Sequence, residues 1–147
     1  LLPCLQTHSP LDMLVIMLGT NDCKQRFSLT AANIALGMRR LVKKALEAEV
    51  WRDKPNILVI APGPILKECE LSDVGKNMGI CSDKSYEIAK EYELIAKELG
   101  VGFFDSASCV TMNDIDFMHL TAESHKALAK RVSEIIKNNL ESKELKA

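Results

Sequence analysis

Three short apolar runs limit what this chain can fold into. They span residues 13–18, 57–61 and 101–104, and each is followed by glycine, proline or an acid. Runs of this length, apolar at nearly every position, are typical of strands buried on both faces, as in parallel sheets. We therefore expect three parallel β-strands.

Helical patterns separate and follow these runs. The apolar spacing predicts helices over residues 30–49, 85–99 and 122–139. Ser28 or Thr30 can cap the first helix, Gly100 is a stop for the second, and Thr121 is the expected cap of the third. The stretch 64–83 has no clear period and is expected to form a long loop with at most one helical turn, and loops of that length are often functional. The alternation predicts an α/β fold, a doubly wound parallel sheet with helices on both faces.

Composition limits the partners of the chain. Its 147 residues carry 19 basic and 20 acidic side chains, so there is no basic excess of the kind that binds nucleic acid. No run approaches the roughly 18 apolar residues of a membrane span. Five cysteines without a C-x-x-C pair argue against structural zinc and favour a reduced, cytoplasmic chain.

Polar residues follow the first and third apolar runs, at the sheet edge where open parallel sheets bind ligands. Asn21 belongs to Gly-Thr-Asn-Asp after the first run, and its neutral amide could stabilise an oxyanion. Asp116 and His119 lie three apart after the third run, a spacing that lets the carboxylate orient the imidazole as a base. Either motif alone is weak evidence, since an Asn after a strand is often only a turn residue.

Taken as a pair, the motifs resemble the SGNH (GDSL-type) serine esterase/lipase family, especially its bacterial arylesterase-like branch. The resemblance includes residues 8–12, the block MLVIMLGTND, Arg26-Phe27, and Leu-Thr-Ala-Glu directly after His119. It implies a three-layer flavodoxin-like (SGNH hydrolase) parallel sheet with helices on both faces.

The resemblance also implies roles for individual residues. Asp116 and His119 would be the acid and base of a catalytic triad, and Asn21 would belong to the oxyanion hole. Gly19 and Asp22 support the Asn21 motif, although Asp22 is expected to hold its turn rather than take part in chemistry. The candidates for an acyl pocket are Phe117 and Met118, which flank the pair.

Two blocks of the family have no counterpart in this sequence. One is G-D-S-L with the nucleophilic serine, and the other carries a glycine whose amide completes the oxyanion hole. We therefore expect residues 1–147 to form a single domain, the C-terminal two-thirds of an SGNH domain that lacks its N-terminal strands. The nucleophile would lie upstream, and strand 13–18 would contact either that missing segment or a second copy of the chain.

The expected function is carboxylic ester hydrolysis by serine acyl transfer on a small ester, without a cofactor or a metal, and with the isolated chain inactive. Small acyl esters, aryl esters and acetylated sugars all remain open. The alternative is a catalytically inactive α/β fragment or binding module that retains the remnant of the site. A metal cluster of Asp114, Asp116, His119 and His125 is a weaker interpretation, because the hydrolase pattern already explains two of its members.

Overall fold

Three parallel strands form the sheet. The computed structural model describes residues 1–144, with side chains to residue 141. Strands β1 (Leu14–Met17), β2 (Ile57–Ala61) and β3 (Gly102–Asp105) lie side by side in the order β1-β2-β3. All pairings are parallel, with Ile16 opposite Val59 and Val59 opposite Phe103. The predicted α/β fold with a parallel sheet is confirmed.

The burial of the central strand β2 explains why a continuous apolar run predicts a strand in this chain. All five of its residues are buried. Ile57, Val59 and Ala61 belong to the main hydrophobic core, whereas Leu58 and Ile60 point to the other face and are equally inaccessible. A strand covered on both faces has no position for a polar residue, so its sequence is apolar throughout.

Five helices accompany the strands in the described part of the chain. They are α1 (Leu2–Thr7), α2 (Ala31–Leu46), α3 (Gly75–Met78), α4 (Ser82–Leu99) and α5 (Ala122–Glu144). Sequence analysis did not predict α1, because six residues with a proline in the first turn show no helical period. None of the described helices is long and apolar enough to cross a membrane.

Helix α2 begins as predicted and ends earlier. Thr30 and Asn33 form a reciprocal cap, in which each backbone N–H donates to the other side chain at 3.2 Å. The helix stops at Leu46 rather than near Glu49, and the Trp51 indole N–H donates to the Ala45 carbonyl oxygen at 2.9 Å. The indole therefore adds to the Ala48 N–H, which donates to the same carbonyl oxygen at 3.3 Å at the end of the helix.

The loop between β2 and α4 contains more regular structure than expected. A 3₁₀ turn (Lys67–Leu71) and α3 occupy the stretch predicted to hold at most one helical turn. Helix α4 starts three residues before its predicted position, because Glu70 accepts hydrogen bonds from the backbone N–H groups of Cys81 and Ser82, each at 3.0 Å. Glu70 precedes Cys81 by eleven positions, so no local sequence pattern indicates that it caps helix α4.

Helix α5 packs less completely than α2 and α4. Four apolar residues at helical spacing are all only half-buried: Leu128, Val132, Ile135 and Ile136. Near the end of the helix, Asn139 accepts a hydrogen bond from the Asn56 amide at 2.9 Å, just before β2. An apolar stripe of helix α5 is therefore left partly open to solvent.

Candidate active site

Asp116 and His119 form a hydrogen-bonded pair in the loop before α5. The Asp116 Oδ2 atom lies 2.6 Å from His119 Nδ1, while Oδ1 accepts from the backbone N–H groups of Met118 and His119 at 3.0 and 2.9 Å. An ionised carboxylate can only accept, so Nδ1 carries the proton and Nε2 is left as the basic nitrogen. The arrangement fixes both the tautomer and the position of the imidazole.

The two side chains of this pair differ in exposure. The side chain of Asp116 is 18% exposed and that of His119 is 69% exposed. Partial burial by itself raises the pKa of the Asp116 carboxyl, but hydrogen bonds from the backbone and ring of His119, and from the Met118 N–H, hold that pKa well below its ordinary value. Asp116 is therefore ionised at neutral pH, and the ring it holds faces open space.

Two contacts attach this loop to its surroundings. The Leu66 N–H donates to the Phe117 carbonyl oxygen at 3.0 Å, and Phe117 has a left-handed φ of 59°. At the start of α5, the Ser124 hydroxyl donates to the Thr111 carbonyl oxygen at 2.9 Å and accepts from the Thr111 N–H at 2.8 Å. Ser124 itself is buried, so this hydroxyl joins the loop to the helix in a site closed to water.

Asn21 lies in the 3₁₀ turn Thr20–Cys23, directly after β1. The turn depends on Gly19, whose φ of 131° is rarely adopted by other residues, and a Cβ at Gly19 would lie 2.7 Å from the Tyr92 hydroxyl oxygen. That hydroxyl donates to the Leu18 carbonyl oxygen at 3.0 Å. Tyr92 therefore fixes the end of β1 and leaves Asn21 exposed at the edge of the sheet.

One cleft of about 410 Å³ brings Asn21 and His119 together. Met118 also lines the cleft, whereas Phe117 does not and instead packs against the hydrophobic core. Asp22 lies outside it, lining a separate depression with Leu18 and Tyr92. Of the residues predicted from sequence, the cleft therefore unites Asn21, His119 and Met118.

The remaining lining of the cleft is mostly apolar and uncharged. His125 is the only other titratable side chain in it. The other lining residues are Met17, Thr20, Pro62, Gly63, Met112 and Leu120. A Cβ at Gly63 would lie 2.3 Å from the Met112 methyl carbon, so this glycine makes room for the thioether. Thr20 belongs to the Asn21 motif, and Pro62 and Gly63 follow the second apolar run, so the sequence places them at this edge of the sheet. Sequence analysis did not assign Met17, Met112 and Leu120 to the site, because they meet there only after β1 and the loop before α5 come together.

Buried thiols lie near the site without opening into it. Cys23, Cys69 and Cys81 are fully buried, and burial raises the pKa of the Cys23 thiol to about 11 and that of Cys81 to about 12. Thiols of this kind are poor nucleophiles at neutral pH. Cys23 therefore serves as a small apolar filler beside Asn21.

No group of three or more His, Cys, Asp or Glu residues is arranged to hold a metal ion among residues 1–141, whose side chains the structure describes. The four residues considered from the sequence as a metal cluster do not form such a group. Asp116 instead directs its carboxylate to His119, and the chemistry of the pair is that of an acid-oriented base.

Solved structures of esterases share this fold. The M. smegmatis aryl esterase is 32% identical with a TM-score of 0.81, over 92% of this chain and 65% of that one. A carbohydrate acetylesterase family member from Sinorhizobium meliloti is 30% identical with a TM-score of 0.84, over 94% of this chain and 66% of that one. Est24, a carbohydrate acetylesterase from the same organism, is 31% identical with a TM-score of 0.82, over 92% of this chain and 65% of that one.

These similarities confirm the predicted resemblance to SGNH-type esterases of the arylesterase-like branch. The chain spans 65–66% of the length of these three structures. No protein-family model matches the chain, and no curated protein matches it. The resemblance therefore rests on the solved structures and on the two motifs.

Proposed function

We propose that this chain carries the acid–base pair and one oxyanion donor of a serine-dependent carboxylic ester hydrolase. The observation that carries the proposal is the Asp116–His119 pair, joined at 2.6 Å, whose ring shares a cleft with the Asn21 amide. The aryl and carbohydrate acetyl esters in the names of similar proteins support a small ester as the substrate.

In the proposed reaction, a serine hydroxyl attacks the ester carbonyl. His119 Nε2 takes the serine proton and passes it to the departing alcohol, and the same nitrogen then activates the water that hydrolyses the acyl-enzyme. Asp116 stabilises the imidazolium that forms, and the Asn21 side-chain amide donates to the tetrahedral oxyanion. None of these steps requires a cofactor.

The serine would lie on a segment that precedes this chain in the protein. In the described part of the chain, β1 pairs with β2 alone, and Met17 and Leu18 at its end are 36% and 55% exposed. The apolar stripe of helix α5 is likewise only half-buried in the described chain. A further strand beside β1 would cover this edge and end near Asn21 and His119, because parallel strands end at the same edge of a sheet. Residues 1–147 would then be one part of a single domain.

The test is hydrolysis of p-nitrophenyl acetate by the full-length protein. We expect His119→Ala to lower kcat by about 10⁴-fold or more, since removing the base disables the whole triad. His8→Ala is the matched control, because His8 is an exposed histidine at the end of α1. Wild-type turnover in the His119→Ala variant would contradict the proposal.

The isolated chain separates the enzyme from its alternative. We expect residues 1–147 alone to show no hydrolysis, because the cleft is lined by no serine or cysteine. Turnover by this chain that His119→Ala abolishes would reveal a nucleophile within it. A full-length protein that binds esters and never hydrolyses them would instead favour the non-catalytic binding module.

A further inference from the structure

The Asp116–His119 loop is closed by a side chain that neither sequence motif contains. The Asn113 Oδ1 atom accepts from the backbone N–H groups of Ile115 and Asp116 at 2.8 and 2.9 Å. Its Nδ2 group donates to the His119 carbonyl oxygen at 3.0 Å, and its backbone N–H donates to the same oxygen at 2.8 Å. One residue therefore holds the backbones of both members of the pair.

We propose that Asn113 is a positioning residue for the acid–base pair, an inference that rests on the proposed function of that pair. The side-chain bond between Asp116 and His119 fixes the ring only relative to the carboxylate. Asn113 ties the main chain of both residues to the start of the loop. Displacement of a catalytic group by about 1 Å can cost about 10²-fold in rate, so the backbone anchor affects turnover.

The remaining contacts of the loop explain why this anchor is needed. Both hydrogen bonds to Asp116 Oδ1 come from Met118 and His119, inside the loop, so they shape it without attaching it to anything. Phe117 adopts a left-handed conformation, which a phenylalanine keeps only where its surroundings impose it. The Leu66 contact holds the middle of the loop, and Asn113 draws its two ends together.

The hydrogen-bond pattern requires an amide of this length. One end of the side chain must accept two N–H groups while the other donates to a carbonyl, and only Asn and Gln offer both. Aspartate at position 113 would keep the acceptor but turn a second carboxylate oxygen toward the His119 carbonyl. Glutamine would add a methylene and displace one of the two ends.

The other anchors allow the variants to fold. Asn113 is not part of the hydrophobic core. The bonds between Thr111 and Ser124, and between Leu66 and Phe117, hold the flanks of the loop without it. A loss of activity in an Asn113 variant can therefore be measured on a folded protein.

The experiment uses the full-length protein with two readouts. Asn113→Ala should lower kcat for p-nitrophenyl acetate by about 10²-fold with KM little changed. In ¹⁵N-histidine spectra the low-field signal of the proton between His119 Nδ1 and Asp116 should weaken. Asn113→Asp, which keeps the acceptor, should retain part of the wild-type kcat. Asp114→Asn, an exposed neighbour, should match the wild type in both readouts.

Wild-type kcat and an unchanged low-field proton signal of His119 in Asn113→Ala would overturn the inference. If Asn113→Ala fails to fold, Asn113→Asp carries the test, and wild-type behaviour in that variant overturns the donor role of the amide. The two proposals can fail separately. A wild-type protein that hydrolyses no ester, but whose His119 spectrum still changes in Asn113→Ala, refutes the proposed function and leaves the positioning role in place.

Discussion

At the scale of single residues, the exposure of Asn21 is what suits it to the proposed role of oxyanion donor. Asn21 is exposed in its turn, and its neighbours Gly19 and Cys23 face inward on Tyr92 and the core. The side-chain amide is therefore free to meet an oxygen that develops charge only during reaction. A donor of this kind affects the transition state more than the bound substrate.

Replacing this amide should reduce the rate and spare binding. In the full-length protein we expect Asn21→Ala to lower kcat by about 10²–10³-fold with KM little changed, because one oxyanion donor is lost. Steady-state kinetics on an aryl acetate measure both constants. Asn138→Ala, an exposed amide on α5, is the control. An equal rise in KM with unchanged kcat would place Asn21 in substrate binding instead.

The glycine before the donor should tolerate no side chain. Gly19→Ala places a Cβ 2.7 Å from the Tyr92 hydroxyl oxygen on a backbone with φ 131°, and should cost about 1–3 kcal/mol in the free energy of unfolding. Urea denaturation of the full-length protein measures the loss. Adding Tyr92→Phe removes the clash with the hydroxyl but not the backbone strain at position 19. The double variant should therefore lose less unfolding free energy than the sum of the losses in the two single variants. Strict additivity would show that the clash is relieved in another way.

At the scale of elements, Glu70 joins the 3₁₀ turn to the start of α4. The hydroxyl and backbone N–H of Ser82 lower the pKa of the Glu70 carboxyl to about 2, with further help from Lys67 and the Cys81 N–H and against the effect of burial. Because the folded pKa is below the unfolded one, the ionised carboxylate stabilises the fold above about pH 4.5. This contribution is lost as the pH falls from there toward 2.

Neutralising this carboxylate should remove that acid sensitivity. Glu70→Gln should lower the free energy of unfolding by about 1–3 kcal/mol at pH 7 and by progressively less toward pH 3. At pH 3 the carboxyl is protonated in the unfolded chain while the folded one, with a pKa of about 2, is still largely ionised, so unfolding is favoured by proton uptake. Urea midpoints at pH 7, 5 and 3 give the comparison. Glu68→Gln, an exposed neighbour, is the control. A constant difference between wild type and Glu70→Gln across these values would contradict the linkage.

The elements show which information is local in the sequence. Strand β2 is predicted to the residue because burial on both faces makes it apolar throughout. The Thr30 cap lies within four residues of its partner and is equally visible. The start of α4 and the role of Asn113 escape prediction, since Glu70 and the loop ends meet only after folding. Asp116 and His119 were found only because their spacing resembles a known motif.

At the scale of the whole molecule, the open edge of β1 is the dominant surface feature. Its strand bonds to β2 on one side, and the described chain provides no strand on the other. Exposed strand edges template association with other chains. Residues 1–147 expressed alone should therefore associate or aggregate, and the preceding segment should prevent this.

A charge at this edge should reduce the association. Leu18→Lys places a cation at the end of β1 and should shift residues 1–147 toward a monomer in light-scattering chromatography. Leu94→Lys on α4 is a close control, because Leu18 and Leu94 are 55% and 56% exposed. Equal shifts in both variants would mean that general surface hydrophobicity, and not the β1 edge, drives association. A wild-type chain that unfolds cooperatively as a monomer would contradict the expectation altogether.

The strand order also sets when the parts of the site come together during folding. Asp116, His119 and Asn113 lie within one short loop, so their contacts close over few residues. Asn21 reaches the same cleft only through β1 pairing with β2 and β2 with β3, partners far apart in the chain. Contacts of high sequence separation form slowly. During refolding we therefore expect the Asp116–His119 pair to form first, and Asn21 to join it in the cleft only when the sheet is complete.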